Sequence, residues 1–138
     1  MKIKFDDTPY PSIDHTGTEI LVWRPMVDVV LAGPQDFRNV KALIDTGADD
    51  CLVHGEFADK LGIEFIGKKK ITGVGANSII DYGEIEILVK HFNTKINTVA
   101  GFTELPFSCL LEQTGFFDNY RVRFEKDIRR FEIAESCI

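Results

Sequence analysis

Hydrophobic positions along the chain fall mostly into short β-branched or alternating runs separated by turn residues. From Pro25 to Leu31, and again from Phe37 to Ile44, such runs flank Ala32-Gly33-Pro34-Gln35-Asp36, which predicts two strands joined by a turn, with Asp45 at the end of the second. Cys51 to Val53 makes another short strand. From Glu56 to Leu61, Phe57 and Leu61 stand one helical turn apart with Gly62 as a C-terminal stop, which predicts one short helix. Ile63 to Thr72 is apolar at its ends and basic at Lys68, Lys69 and Lys70. It leads through Gly73-Val74-Gly75-Ala76-Asn77 into a second extended run, and the whole reads as a long hairpin. In the return arm Ile85, Ile87 and Val89 interleave with Glu84, Glu86, Leu88 and Lys90, near period two with one face buried. Further strands are predicted at Thr94 to Ala100, Phe107 to Leu111, Tyr120 to Glu125 and Arg129 to Ala134, with Lys126-Asp127-Ile128 as a tight connection and Gly115 to Asn119 as a helical turn. Residues 1–22, with Pro9, Pro11 and Gly17 and no sustained period, read as an irregular N-terminal arm.

The pattern amounts to about eight short strands with turn signals at the roughly 8–12-residue spacing of a β-barrel or sandwich. The expected fold class is mainly β, with one or two short helices and a single domain over residues 23–138. A chain of 138 residues, 44% hydrophobic and 28% charged, supports one core of modest size. Its 16 Lys and Arg against 22 Asp and Glu leave a net charge of −6, which opposes a non-specific hold on phosphate backbones, so no nucleic acid is expected. The start Met-Lys-Ile-Lys-Phe-Asp-Asp lacks the apolar stretch of a secretory signal, and no apolar run approaches the roughly 20 residues of a membrane-spanning helix. A soluble protein with no membrane partner is expected. Cys51, Cys109 and Cys137 have no CxxC spacing and suit free thiols in a reducing compartment, which predicts a cytoplasmic location. His15, His54 and His91 have no metal-ligand spacing and are expected at the surface, so neither metal nor organic cofactor is expected. Ser108 and Cys109 have no nearby His in a nucleophile arrangement, and Cys109 and Cys51 read as core thiols.

The chemistry concentrates at Asp45-Thr46-Gly47. An Asp just after a buried strand, followed by Thr-Gly, suits a carboxylate presented to a cleft by a sharp turn, with Gly47 supplying the permissive backbone. The triplet alone would occur by chance in roughly one chain in thirty of this length, and an ordinary Asx turn is the competing reading.

The surrounding segment Ala42-Leu43-Ile44-Asp45-Thr46-Gly47-Ala48-Asp49-Asp50 resembles the retropepsin-like aspartic proteases, the single-domain family that includes the retroviral enzymes. Ile71-Thr72-Gly73-Val74-Gly75-Ala76 resembles the glycine-rich tip of that family's flap hairpin. Cys109-Leu110-Leu111, followed by Gln113-Thr114-Gly115-Phe116-Phe117-Asp118, resembles its two-hydrophobics-then-glycine strand and the short helix after it. The resemblance runs from about Pro25 to Arg123. It departs at Glu112, where the family usually has Gly; an outward-facing, solvated Glu112 is expected, the alternative being a side chain that disturbs the active-site loop.

The resemblance implies a closed antiparallel β-barrel of the retropepsin or pepsin-half type and an aspartic endopeptidase. Asp45 would be the catalytic carboxylate, and since no second Asp-Thr-Gly or Asp-Ser-Gly occurs, its partner would be Asp45 of a second subunit across a two-fold axis. One ionised carboxylate would then activate a water while the protonated one donates to the scissile carbonyl. Thr46, Gly47 and Ala48 would support the active-site loop; Gly47, Asp49, Val74, Gly75 and Ala76 would bind a peptide or protein substrate. Ala48 offers no hydrogen bond to the carboxylates, which implies a working pH less acidic than pepsin's. Asp50 reads as a solvated turn acid, and Leu43, Val53, Val74 and Ile79 as residues lining substrate pockets. The alternative function is a catalytically inactive barrel of this fold, acting as a dimerisation or peptide-binding module.

Overall fold

A computed structural model describes residues 1–47, 49–73 and 76–136. The chain runs through β1 (Lys2–Asp6), β2 (Thr8–Ile13), β3 (Glu19–Arg24), β4 (Met26–Ala32), β5 (Phe37–Ile44), β6 (Leu52–His54), helix α1 (Glu56–Leu61), β7 (Phe65–Gly73), β8 (Ala76–Val89), β9 (Lys95–Thr103), β10 (Cys109–Leu111), β11 (Tyr120–Glu125), a 3-10 turn (Lys126–Ile128) and β12 (Arg130–Glu135). Strands make up 61% of the molecule. Among the described residues no helix is long and apolar enough to cross a membrane.

Six strands close into a barrel in the order β4-β5-β10-β6-β9-β8, with β8 returning to β4 and β7 extending the sheet outside the ring. Alternation builds the interior: Val27, Val29 and Leu31 of β4 and Ile85, Ile87 and Val89 of β8 all point into the core. The turn after β4 closes with Gly33 N–H donating to the Asp36 carbonyl at 3.0 Å. A Cβ on Gly33 would lie 2.4 Å from the Leu61 carbonyl oxygen, so only glycine lets this turn dock on α1. Gly62 ends α1 at φ 71, the left-handed stop that its position predicts.

The barrel is the closed, mostly antiparallel one expected, with two parallel joints, β5–β10 and β6–β9. Each parallel joint lets a strand be followed by a crossing connection, and the β5–β10 joint places the chain after Ile44 beside the chain after Leu111.

Residues 1–22 are not an irregular arm. β1 pairs with β12, which pairs with β11, and Phe5 stacks on Phe131 with ring centres 5.2 Å apart. β2 and β3 form a separate hairpin, which brings the strand count among the described residues to twelve, not about eight. Pro9 and Pro11 read as breakers in the sequence, yet both sit within β2, where a residue whose N–H points away from the partner strand can be proline. Gly115 to Asn119 forms a single helical turn, as expected, with Tyr120 N–H donating to the Phe116 carbonyl at 3.0 Å. Gly115 takes φ 98, and the Asn119 side chain caps its carbonyl at 2.6 Å, which closes the segment before a helix can propagate. The segment nevertheless drives Phe116 and Tyr120 into the core, stacked at 5.2 Å.

Candidate active site

β5 ends in three buried residues, Ala42, Leu43 and Ile44, and the chain then turns out of the barrel at Asp45. Two bonds fix the exit: Ile44 N–H reaches the Pro25 carbonyl and Asp45 N–H the Leu111 carbonyl, both at 3.0 Å. The half-buried Asp45 carboxylate accepts Gly47 N–H on Oδ1 at 2.9 Å. This is an Asx turn, and it also aims and restrains the carboxylate. A Cβ on Gly47 would stand 3.2 Å from the same oxygen, so the glycine keeps that side of the carboxylate clear.

The other wall of the loop is the segment after β10. Gln113 Nε2 donates to the Thr46 carbonyl at 3.2 Å, Thr114 N–H donates to the Asp49 carbonyl at 2.6 Å, and Asp50 bridges to Thr114. Cys51 lies beneath: its Sγ donates to the Thr114 carbonyl at 3.3 Å and accepts Glu112 N–H at 3.4 Å. The loop from Asp45 to Cys51 is thus sewn to the segment from Leu111 to Thr114. That explains how the two sequence motifs, more than sixty residues apart in the chain, build one structure.

Glu112 corrects the expectation of a solvated side chain. It is fully buried, with 0% exposure. The position is enclosed on three sides, by Cys51 Sγ at its N–H, by Phe117 N–H at its carbonyl, and by the core strand β10 before it. Burial pushes the Cys51 thiol up, with backbone N–H groups at Glu112 and Phe116 opposing and the charges of Glu112 and Asp50 adding to the rise. Cys109 is raised well above the usual thiol range, first by burial and then by Cys51 and Glu112. Both thiols are buried and free, as the alternation around Cys109 predicts.

Asp50 likewise departs from a solvated turn acid. It is half-buried and hydrogen-bonded to the Tyr82 phenol, whose ionisation is pushed up by desolvation and then by the Asp50 charge. Tyr82 was not singled out by the sequence; its only signal is the period-two register it shares with Glu84 and Glu86. Beside it, a Cβ on Gly101 would fall 2.6 Å from Ile80 and 2.8 Å from Leu52, so the glycine allows Leu52, Ile80 and Tyr82 to converge. Leu43 and Val53, expected to line pockets, are both buried: Val53, the middle residue of β6, packs in the main core, and Leu43 lies on the face of β5 opposite Ala42 and Ile44. Ile79 is exposed.

The structure therefore brings Asp45, Thr46, Gly47 and Asp49 together in one turn. Ala76 opens β8 opposite Gly73, at the end of the long hairpin. Ala48, Val74 and Gly75 lie outside the described residues. A cavity of 830 Å³ is lined by Asp50, Tyr82, Glu84, Val99 and Thr114 among others and does not include Asp45.

A barrel of this topology with Asp-Thr-Gly at the exit of β5 matches the aspartyl protease family, whose profile covers residues 27–104, and the chain belongs to that family. Its fold is retropepsin-like. Among solved structures it is similar to EIAV protease complexed with the inhibitor HBY-793, at 25% identity and a TM-score of 0.50 over 65% of this chain and 82% of that one. It is also similar in fold to a retropepsin-like aspartic protease from Rickettsia conorii, at 15% identity and a TM-score of 0.58 over 96% of this chain and 89% of that one. A search of curated proteins by sequence gave no match.

Proposed function

We propose that the protein is an aspartic endopeptidase that works as a homodimer, with Asp45 of each subunit forming the catalytic pair. The observation that carries this reading is the aimed Asp45 carboxylate, held by Gly47 N–H at 2.9 Å on a loop sewn to the Leu111–Thr114 segment, within the stretch that matches the aspartyl protease family. Two carboxylates brought face to face cannot both ionise cheaply, so one proton is shared. The ionised member takes a proton from a water as that water attacks the scissile carbonyl carbon, and the protonated member donates to the carbonyl oxygen. As the resulting gem-diol collapses and the C–N bond breaks, the first carboxyl gives its proton to the departing amine nitrogen and one hydroxyl of the diol returns a proton to the second carboxylate, which restores the pair. Thr46 and Gly47 hold the loop. Gly47 and Asp49, together with the hairpin residues Val74, Gly75 and Ala76 acting as a flap, contact an extended peptide substrate through its backbone. A cleft that forms between two subunits leaves each subunit with half of it, which accounts for Asp45 lying outside the 830 Å³ cavity of one chain.

The two free, buried thiols fit a reducing, cytoplasmic setting. A second reading, a barrel that binds peptide or a second copy without cleaving, draws on one observation: the carboxyl-bearing Glu112 is buried directly behind the loop. Peptide cleavage by the wild-type chain and by Asp45→Asn, measured from acid to neutral pH, separates the two. The endopeptidase reading expects a loss of about 10²–10⁴-fold or more in the variant. Equal rates in the two chains would refute it.

A further inference from the structure

We propose that the β2–β3 hairpin is the surface through which a second copy of this chain docks, the outer edge of β3 pairing with the same edge of its partner across a two-fold axis. This rests on the homodimer reading for its need of two copies. The rest comes from the hairpin itself.

Proline has no N–H, so the pairs Pro9–Trp23 and Pro11–Leu21 cannot be the hydrogen-bonded pairs of the ladder. The bonded pairs are therefore Thr8–Arg24, Tyr10–Val22 and Ser12–Ile20, and the alternate residues direct their backbone groups away from the hairpin. On β2 those residues are largely prolines, which offer no donor and close that edge to further strands. On β3 they are Glu19, Leu21 and Trp23, each with an N–H and a carbonyl. The Trp23 carbonyl is taken by Lys126 Nζ, which agrees with its outward direction. Glu19 and Leu21 remain as an edge that no other strand among the described residues covers, since β2 and β3 form a sheet of their own.

The side chains tell the same story. Pro9, Pro11 and Ile13 share one face of the hairpin with Trp23, Leu21 and Glu19, and that face should be polar if it met only water. Instead Ile13 is 68% exposed and Leu21 63% exposed. The root of the hairpin is anchored to its own subunit: Tyr10 packs on Phe107 at 5.0 Å and bonds to the Pro106 carbonyl, Arg24 lies over Phe107, and Arg129 lies over Trp23 at 4.2 Å. The distal half, from Pro11 to Leu21, has no such anchor among the described residues, and an unsupported two-stranded hairpin is marginal in water.

A second copy is the occupant that fits. The turn Thr46-Gly47 alone is far too small to supply the roughly 1,200–2,000 Å² that stable interfaces bury. The terminal strand β1 is already paired within the chain to β12. Among the described residues β1, β7 and β11 also have an outer edge without a strand partner. β3 is set apart by a hairpin partner whose own edge is closed by prolines and by the exposed Ile13 and Leu21 on its face, and two-fold pairing of like edges is self-complementary and closes on itself.

Sedimentation of the wild-type chain, Leu21→Asp, Leu21→Pro and Ile13→Asp tests this, with Phe37→Asp as a control at an exposed apolar residue elsewhere. Leu21→Pro is the sharpest variant, because it keeps the hairpin's own bonded pairs and removes one outward donor. The three hairpin variants should weaken self-association by about ten-fold or more, with unchanged far-ultraviolet dichroism, while Phe37→Asp associates like wild type. Wild-type association in all three hairpin variants, or a wild type that stays monomeric at high concentration, would overturn the proposal. Dimeric hairpin variants combined with cleavage lost in Asp45→Asn would sink this interface and leave the endopeptidase reading standing. Monomeric hairpin variants beside a dimeric wild type that cleaves nothing would do the reverse.

Discussion

At Asp45 a single backbone donor, Gly47 N–H, decides which way the carboxylate faces, and the absence of a side chain on Gly47 keeps the approach open. Gly101 plays a comparable part beside Asp50. Gly101→Ala would drive a methyl to 2.6 Å from Ile80 Cγ2, which branches at the Cβ and cannot swing far, and to 2.8 Å from Leu52 Cδ2, and should cost about 1–3 kcal/mol in urea unfolding. The thiols give a second test. With Cys51 and Cys109 buried and their ionisation pushed up, neither should react with an alkylating reagent in the native protein near pH 8, while both react in urea; peptide mapping reads each site separately. Their raised native values also fix a sign. The stability they contribute is complete below the unfolded thiol pKa of about 8.5 and is lost as pH rises from there toward the native values. The gap in unfolding free energy between pH 7 and pH 10 should therefore narrow in Cys109→Ala, whatever that substitution costs at both. An unchanged gap would contradict the burial of its charge.

Among the elements, the turn between β4 and β5 is held by its fit to α1. Gly33→Ala would place a Cβ 2.4 Å from the Leu61 carbonyl oxygen, a backbone atom that cannot step aside, and should destabilise by about 1–3 kcal/mol. Gly17→Ala, at φ 83 in the β2–β3 turn with nothing within 4 Å, tests backbone strain alone and should cost about 1–2 kcal/mol. These positions also show what was legible. β4, β5 and β8 could be read because each carries its own inward-facing alternation, and α1 because Gly62 marks its end. β1 to β3 could not, since two prolines on an outer edge look the same in sequence as two strand breakers. The parallel joints β5–β10 and β6–β9 depend on strands far apart in the chain, which no local period encodes. The Asp45 turn was legible because its residues are contiguous. The burial of Glu112 and the contact of Asp50 with Tyr82 were not, because each is made by a partner strand or loop brought in by the fold.

On the scale of the whole molecule, a closed barrel presents one Asp-Thr-Gly turn and, by the proposed reading, half a catalytic site. The chain that completes it is a second copy, and the β2–β3 hairpin supplies the contact. Catalysis should then depend on pairs of Asp45, not on single ones. Mixing the wild-type chain with Asp45→Asn under conditions of subunit exchange, at constant total protein, tests this most directly. If both carboxylates are required, peptide cleavage falls with the square of the wild-type fraction, to about a quarter in an equal mixture. A fall in simple proportion, to about half, would show that each chain works alone and would contradict the shared site.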